Sequence, residues 1–178
     1  MVEVWLVRHG ETPRSRDGRL AGWVDTPLTP FGREQARALR PWLTAQSFDS
    51  VWSSDLRRAV VTARLAFGEP QRDPRLRELH FGILEGLPWQ RLPAPHQEAL
   101  DRFADLAPPG GETTEELRRR VAAFLDRLPS GRHLVFTHGG VIRAVRQLVG
   151  DDGFVSTGTV VAVEWRHRVP VFVRHREL

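Results

Sequence analysis

Two histidines in this sequence stand at the end of an apolar run, and each precedes a glycine. His9 closes the run at residues 2–7 and its neighbour Arg8, and His138 follows the run at residues 134–137. In open α/β sheets, ligands bind beyond the carboxyl ends of the strands, so we expect both imidazoles to face one crevice. Histidine can itself serve as a nucleophile. The pattern therefore makes His9 a candidate nucleophile and His138 a candidate partner.

Arginines flank this arrangement. Arg8 adjoins His9, and Arg57 and Arg58 follow the second predicted strand. A guanidinium remains charged and can hold two phosphate oxygens at once. Nearby cations also keep an imidazole neutral, as nucleophilic attack requires. Because phosphoryl transfer depends mainly on positioning and charge stabilisation, two histidines with two arginines favour that chemistry.

A phosphoryl transfer to histidine also needs an acid to protonate the leaving oxygen. Glu11, Glu78 and Glu85 lie near glycine-containing turns and are the candidates. A metal site built on His9 and His138 lacks a further histidine or carboxylate pattern to complete it. The sequence also lacks the G-x-S-x-G elbow of a serine hydrolase.

Each of these residues has an ordinary structural interpretation as well. A single histidine at a strand end is more often structural than catalytic, Glu85 could be a surface acid, and Arg57 could pair with Asp55 or Glu34. The five remaining histidines are interpreted as solvated or structural: His80, His96, His133, His167 and His175.

Strands alternate with helices along the chain, which predicts an α/β domain with a mainly parallel central sheet. Strands are expected at residues 2–7, 49–53 and 134–137, with a terminal hairpin at 159–165 and 169–173. Helices are expected from the N-cap Thr29, after an N-cap at Ser54 or Asp55, after the capping box of Thr113 and Glu116, and over 141–149. Residues 10–28 are predicted to form a loop, residues 71–87 an irregular segment, and residues 88–111 one or two short helices. We expect a single domain over residues 1–178.

Composition limits the functional classes. All 26 basic residues are arginine, the formal net charge is +4, and basic and acidic residues are interspersed, so nothing favours nucleic-acid binding. No run of about 18 apolar residues predicts a membrane span. The chain has no cysteine and no secretory pattern at residue 1, so we expect a cytoplasmic protein. All-arginine usage, the absence of cysteine, one methionine and 13 prolines would suit a heat-adapted (thermophile) or GC-rich source.

The sequence resembles the histidine phosphatase superfamily, also called the phosphoglycerate-mutase-like family. Five ordered stretches carry the resemblance: residues 6–12 (LVRHGET), 18–32 (GRLAGWVDTPLTPFG), 53–63 (SSDLRRAVVTA), 78–86 (ELHFGILEG) and 137–140 (THGG). The resemblance implies a three-layer sandwich with helices on both faces of the sheet. It implies neither a metal nor an organic cofactor.

The resemblance also implies a role for each residue of the site. His9 would become phosphohistidine, and Arg8 and Arg58 would grip the phosphate. The arginine of the family motif precedes an alanine, which favours Arg58 over Arg57. His138 would donate to the phosphoryl oxygens. Glu78 would act as the acid toward the leaving group and then as the base for water.

The candidate substrate-binding residues are less regular. They are Ser15, Arg19, Ala21, Gly22 and Gly139. Family members often carry asparagine where this chain has Ser15, and glutamine where it has Ala21. A serine hydroxyl can still contact phosphate, whereas Ala21 leaves only backbone contacts near Gly22.

The predicted function is a phosphomonoesterase that acts on a small phosphorylated metabolite, as a monomer or homodimer. It resembles the α-ribazole-phosphate phosphatase branch. Only 59 residues separate Glu78 from His138, and few basic residues lie in the apolar segment 87–109. A mutase needs a closed site with extra basic groups, so these features favour the phosphomonoesterase. A cofactor-dependent phosphoglycerate mutase is the alternative. A phosphate-ester binding module without catalysis is a third possibility.

Overall fold

A computed structural model describes residues 1–175 and contains a six-stranded sheet. The strands are β1 Val2–Arg8, β2 Ser50–Ser53, β3 Gln71–Arg72, β4 Gly131–Thr137, β5 Val160–Glu164 and β6 Val169–Arg174. Their order across the sheet is β3-β2-β4-β1-β5-β6. The pairs β1–β4, β2–β4 and β2–β3 are parallel, and β1–β5 and β5–β6 are antiparallel. The predicted mainly parallel sheet and terminal hairpin are both confirmed.

Six α-helices and three short 3₁₀ segments connect the described strands. The helices are α1 Pro13–Arg16, α2 Pro30–Thr44, α3 Arg57–Ala66, α4 Ala94–Arg102, α5 Thr114–Leu125 and α6 Gly139–Leu148. The 3₁₀ segments are Pro74–Leu76, Gly82–Leu84 and Trp89–Arg91. Residues 176–178 of the predicted single domain lie outside the described residues.

Alternate residues of β1 point into two separate apolar cores, as a strand with a two-residue side-chain period requires. Trp5 and Val7 pack with Leu39 of α2 and Ala63 of α3 on one face. On the other face, Val4 and Leu6 belong to the core that contains apolar residues of α4, α5 and α6. Helices therefore cover both faces, which confirms the predicted three-layer sandwich. None of the described helices is long and apolar enough to cross a membrane.

Two local signals were interpreted correctly. Thr29 caps α2, since its side chain accepts a hydrogen bond from the Gly32 amide, and Pro30 is the first helical residue. Thr113 and Glu116 form the expected capping box at the start of α5.

The structure differs from the predictions in three short segments. The expected loop at residues 10–28 contains α1, and the irregular segment 71–87 contains the two-residue strand β3. Helix α3 begins after Leu56 with no side-chain cap, so the expected N-cap at Ser54 or Asp55 was wrong. Both side chains have other partners: Ser54 contacts His138, and Asp55 pairs with Arg77.

Candidate active site

The carboxyl ends of β1 and β4 bring two histidine rings together. These strands are parallel neighbours in a register that pairs Arg8 with Thr137, the last residue of each strand. His9 and His138 follow directly. Both are buried, with 4% and 0% of their surfaces exposed, and their ring centroids lie 5.2 Å apart. The predicted meeting of the two histidines is therefore present.

The His9 ring has a defined orientation. Its Nδ1 lies 2.7 Å from the Gly10 carbonyl oxygen. A carbonyl only accepts hydrogen bonds, so Nδ1 carries the proton of the neutral ring and Nε2 is the unprotonated nitrogen with the lone pair. The Gly10 amide donates to Thr62 Oγ1 at 3.0 Å, and a Cβ on Gly10 would lie 2.2 Å from the Gly32 carbonyl oxygen. Glycine is needed here because the two backbone segments approach each other too closely for a side chain.

Burial keeps both histidines neutral. It lowers the pKa of His9 well below its ordinary value, and the charges of Arg58 and Arg8 lower that pKa further. The pKa of His138 is lowered in the same direction, first by burial and then by Arg58. His9 is consequently in the form that can attack an electrophile at neutral pH.

Arg58 is fully buried beside the His9 ring. Its Nε donates a hydrogen bond to His9 Nε2 at 3.3 Å, and its two terminal nitrogens donate to the Val24 and Gly22 carbonyl oxygens at 2.8 and 2.6 Å. Burial lowers the Arg58 pKa. The neighbouring Arg57 is exposed, and its backbone amide donates to Asp25. Of the two arginines, only Arg58 reaches the histidines.

Arg8 provides a second guanidinium at the same strand end. Its Nη1 donates to the Val155 carbonyl, and its guanidinium carbon lies 4.8 Å from the centroid of the Phe154 ring. Its buried Nε has no hydrogen-bond partner within the described part of the chain. Burial lowers the pKa of Arg8 to about 10, so the group is still a cation at neutral pH. An unpartnered N–H on a cation is a ready donor for an anionic ligand.

His138 has one ring nitrogen engaged and one available. Nε2 lies 2.8 Å from Ser54 Oγ, whereas the buried Nδ1 has no partner among residues 1–175. His138 is also the N-cap residue of α6. The amino end of a helix attracts anions through its free amides and dipole. The His138 ring is thus held in place by Ser54 next to a backbone suited to phosphate.

Glu78 reaches the start of α6 from between two 3₁₀ segments. Its Oε2 accepts a hydrogen bond from the Gly140 amide at 3.1 Å, and its Oε1 accepts one from the Leu79 amide at 2.8 Å. A Cβ on Gly140 would lie 2.2 Å from Oε1, so any side chain at position 140 would clash with the carboxylate. The other candidate acids have different contacts. Glu11 accepts from the Thr29 hydroxyl, and Glu85 accepts from the Trp23 amide.

A cavity of about 420 Å³ opens over these groups. Its lining includes Arg8, His9, Arg58 and Glu78 together with an apolar wall of Leu20, Phe81, Trp89, Leu100, Phe103 and Phe154. His138 is not among the lining residues, but its ring lies against that of His9. The cavity has the size and mixed character of a small-molecule site.

The expected substrate-binding residues differ in what they offer. Ser15, Arg19, Ala21 and Gly139 line the cavity. The Ser15 hydroxyl is engaged by the Thr12 backbone at the start of α1, and exposed Arg19 donates to the Gly86 carbonyl. Gly22 is not part of the lining; its carbonyl instead holds Arg58.

The sequence matches a known family over almost the whole chain. The sequence model of the histidine phosphatase superfamily (branch 1) matches residues 4–176. The chain belongs to the histidine phosphatase superfamily.

Relatives within the histidine phosphatase superfamily carry different activities in their names. The chain is 34% identical over 190 residues to fructose-2,6-bisphosphatase TIGAR B of Danio rerio, covering 92% of this chain and 73% of the relative. It is 35% identical over 162 residues to the adenosylcobalamin/alpha-ribazole phosphatase of Escherichia coli K12, covering 84% and 80%. A crystal structure of phosphoglycerate mutase from Thermus thermophilus superposes with a TM-score of 0.92 at 47% identity, covering 98% of this chain and 99% of that one.

Some residues of this histidine phosphatase site were not found from the sequence. Ser54 and Thr62 lie within a family motif, but their contacts with His138 and Gly10 depend on how α3 packs against the sheet. Phe154 and Arg143 also line the cavity, and neither carries a local signal. Within residues 1–175, no group of three or more His, Asp or Glu side chains is arranged to hold a metal ion.

Proposed function

We propose that this protein is a phosphomonoesterase that passes a phosphoryl group from a small phosphate ester to His9 and then to water. The supporting observation is the unprotonated His9 Nε2, which faces Arg58 in a cavity that also contains Arg8 and Glu78. A neutral nucleophile between two guanidiniums suits attack on a phosphorus atom whose oxygens carry negative charge.

The reaction takes two steps. His9 Nε2 forms a bond to phosphorus while the bond from phosphorus to the ester oxygen breaks. Glu78, in its protonated form, gives that oxygen its proton, and the alcohol leaves. Water then attacks the phosphohistidine, Glu78 takes the proton from that water, and the bond from His9 to phosphorus breaks to release phosphate. Arg8, Arg58 and His138 Nδ1 donate to the phosphoryl oxygens throughout.

Hydrolysis is favoured over return of the phosphoryl group to the substrate because the other arginines of the cavity already have protein partners. A bisphosphate or a phosphorylated acid needs basic groups beyond Arg8, Arg58 and His138, which would hold the transferred phosphate. Arg143, on the cavity wall, is held by Asp152 and by the carbonyl oxygens of Leu100 and Asp101. Arg19 is held by the Gly86 carbonyl. Six of the other lining residues are apolar and large, which fits a single phosphate on an apolar body, as in the α-ribazole-phosphate phosphatase branch.

Phosphoglycerate mutase activity is the second candidate, because a protein of that name superposes on nearly the whole chain at 47% identity. Two assays separate the candidates. Phosphate release from a panel of phosphorylated metabolites, lost in His9→Ala, supports the phosphatase. Efficient formation of 2-phosphoglycerate from 3-phosphoglycerate in the presence of 2,3-bisphosphoglycerate would favour the mutase. If neither reaction occurs, the remaining candidate is a phosphate-ester binding module without catalysis.

The remaining predictions concern the ligand class, the cellular location and the oligomeric state. We infer a small phosphorylated metabolite as the ligand, with no nucleic-acid partner, and a cytoplasmic location. The protein would act as a monomer or homodimer. Size-exclusion chromatography with light scattering distinguishes these two states.

A further inference from the structure

Glu78 stands in a segment with little regular structure of its own. It lies between the 3₁₀ segments Pro74–Leu76 and Gly82–Leu84 and is partly exposed. An acid must present its carboxyl to the leaving oxygen within hydrogen-bond distance. The backbone that carries Glu78 therefore needs support from elsewhere.

Two side chains donate to the backbone carbonyl of Glu78. Trp23 Nε1 donates to this oxygen at 2.7 Å, and Arg120 Nη2 donates to it at 2.9 Å. The two donors come from different parts of the chain, one from the loop before α2 and one from α5. A carbonyl oxygen has two lone pairs, and both are engaged here.

Arg120 ties this segment to α5 at two points. Its Nη1 donates to the Arg75 carbonyl at 2.7 Å, three residues before the contact at Glu78. The same guanidinium forms a two-point contact with the Glu112 carboxylate. The Arg120 and Glu112 side chains are only 18% and 13% exposed. A planar guanidinium with several fixed partners is a rigid support, which a lysine would not reproduce.

Trp23 connects the Glu78 carbonyl to Arg58, the arginine that would hold the phosphate. It lies between Gly22 and Val24, whose carbonyl oxygens both accept hydrogen bonds from Arg58. Its ring lies 4.5 Å from the His80 ring and 4.9 Å from the Arg77 guanidinium carbon. The short loop 22–24 thus touches the arginine that would hold phosphate and the backbone of the proposed acid.

We propose that Trp23 and Arg120 are positioning residues that aim the Glu78 carboxyl at the leaving oxygen. This inference rests on the phosphatase function proposed above. A lost hydrogen bond to the Glu78 carbonyl lets that peptide rotate and moves the carboxyl away from the ester oxygen. The cost falls on the step that needs a proton donor, and so depends on the leaving group.

Trp23→Phe is the most selective variant. It removes the indole N–H and keeps an aromatic ring against His80 and Arg77. We expect kcat/KM, which covers the steps up to departure of the alcohol, to fall about fivefold for an alkyl phosphate, whose alcohol is a poor leaving group, as loss of one hydrogen bond predicts. For p-nitrophenyl phosphate, whose phenolate leaves without a proton, we expect kcat/KM to change by less than about twofold because acid assistance is not needed in that step.

Arg120→Lys tests the second donor and should produce the same selective loss. Arg119→Lys is its matched control, because Arg119 is the exposed neighbour on the same helix. The decisive comparison is in the Glu78→Gln background, where the acid is already absent. There, Trp23→Phe should cause no additional loss with the alkyl ester, since coupled residues are not additive.

The outcomes separate this inference from the proposed function. An equal fall in kcat/KM for both esters in Trp23→Phe, or a full additional loss in the Glu78→Gln background, would overturn the positioning role while leaving the phosphatase intact. Turnover that survives His9→Ala would instead remove the phosphatase proposal on which it rests. Thermal unfolding of each variant identifies any loss that is due to misfolding.

Discussion

His9 and His138 follow neighbouring parallel strands in register, and their ring centroids lie 5.2 Å apart. One ring has its Nδ1 against the Gly10 carbonyl, and the other has its Nε2 against the Ser54 hydroxyl. His9 Nε2 also accepts a hydrogen bond from Arg58 Nε at 3.3 Å, whereas His138 Nδ1 has no partner among residues 1–175. The nitrogen of His9 that would attack phosphorus is therefore the unprotonated Nε2 beside Arg58, and His138 has a potential donor in Nδ1.

Ser54→Ala should impair the donor role of His138. When Nδ1 carries the proton, Nε2 accepts a hydrogen bond from the Ser54 hydroxyl, which favours this tautomer. The variant removes that hydrogen bond. We expect kcat to fall about fivefold, the usual worth of one hydrogen bond. Imidazole ¹⁵N shifts should show a changed tautomer at His138. Ser53→Ala is the control, because the Ser53 hydroxyl donates to the Ser54 carbonyl. Unchanged kcat and ¹⁵N shifts would show that Ser54 does not set the tautomer.

Arg58→Lys should be far more harmful than Arg57→Lys. Arg58 is fully buried and donates to two carbonyl oxygens besides facing His9, whereas a lysine cannot form this planar set of contacts. We expect kcat/KM to fall about 100-fold, as when one transition-state donor is removed. Exposed Arg57 should tolerate lysine with less than about a twofold change. Comparable losses in the two variants would contradict the assignment of the phosphate contact to Arg58.

The two buried histidines of the site, His9 and His138, should make stability depend on pH. Their folded pKa values lie well below the ordinary value because of burial, while in the unfolded chain they titrate near about 6.5. Below that pH, the unfolded chain binds protons that the folded chain does not. The free energy of unfolding should therefore be unaffected by these groups above about pH 7 and fall by about 1.4 kcal/mol per pH unit and histidine below about pH 6.

Urea unfolding between pH 7.5 and pH 5 measures this slope. His138→Gln should reduce it by the share of one histidine, and His175→Gln, at an exposed site, should leave it unchanged. A slope in His138→Gln equal to that of the wild type would mean that His138 becomes protonated in the folded protein.

The sequence predicted the parts of this site that depend on strand ends. An apolar run that closes on histidine and glycine was sufficient to place His9 and His138 at one sheet edge, because the carboxyl ends of parallel strands meet there. The residue patterns alone left Glu11, Glu78 and Glu85 as equal candidates for the acid. The family resemblance favoured Glu78, and the structure brings its carboxylate to the Gly140 amide.

The missed features depend on contacts between distant segments. Ser54 carried a capping signal before α3, but the packing of β2 beside β4 turns its hydroxyl toward His138. Trp23 and Phe154 stand in segments without periodicity, so nothing local predicts their contacts with Glu78 and Arg8. Helix α1 is only four residues long, which is too short for a periodic pattern to identify.

The most direct test of the central claim is to trap the phosphorylated protein. A rapid-quench experiment mixes the enzyme with an isotopically labelled phosphate ester, stops the reaction in alkali and maps the label by mass spectrometry. We predict phosphate on His9 that is acid-labile and bonded to Nε2, because Nδ1 is occupied by the Gly10 carbonyl. A folded His9→Ala variant should show neither label nor turnover. Acid-stable phosphate, label on another residue, or turnover retained in His9→Ala would contradict the account.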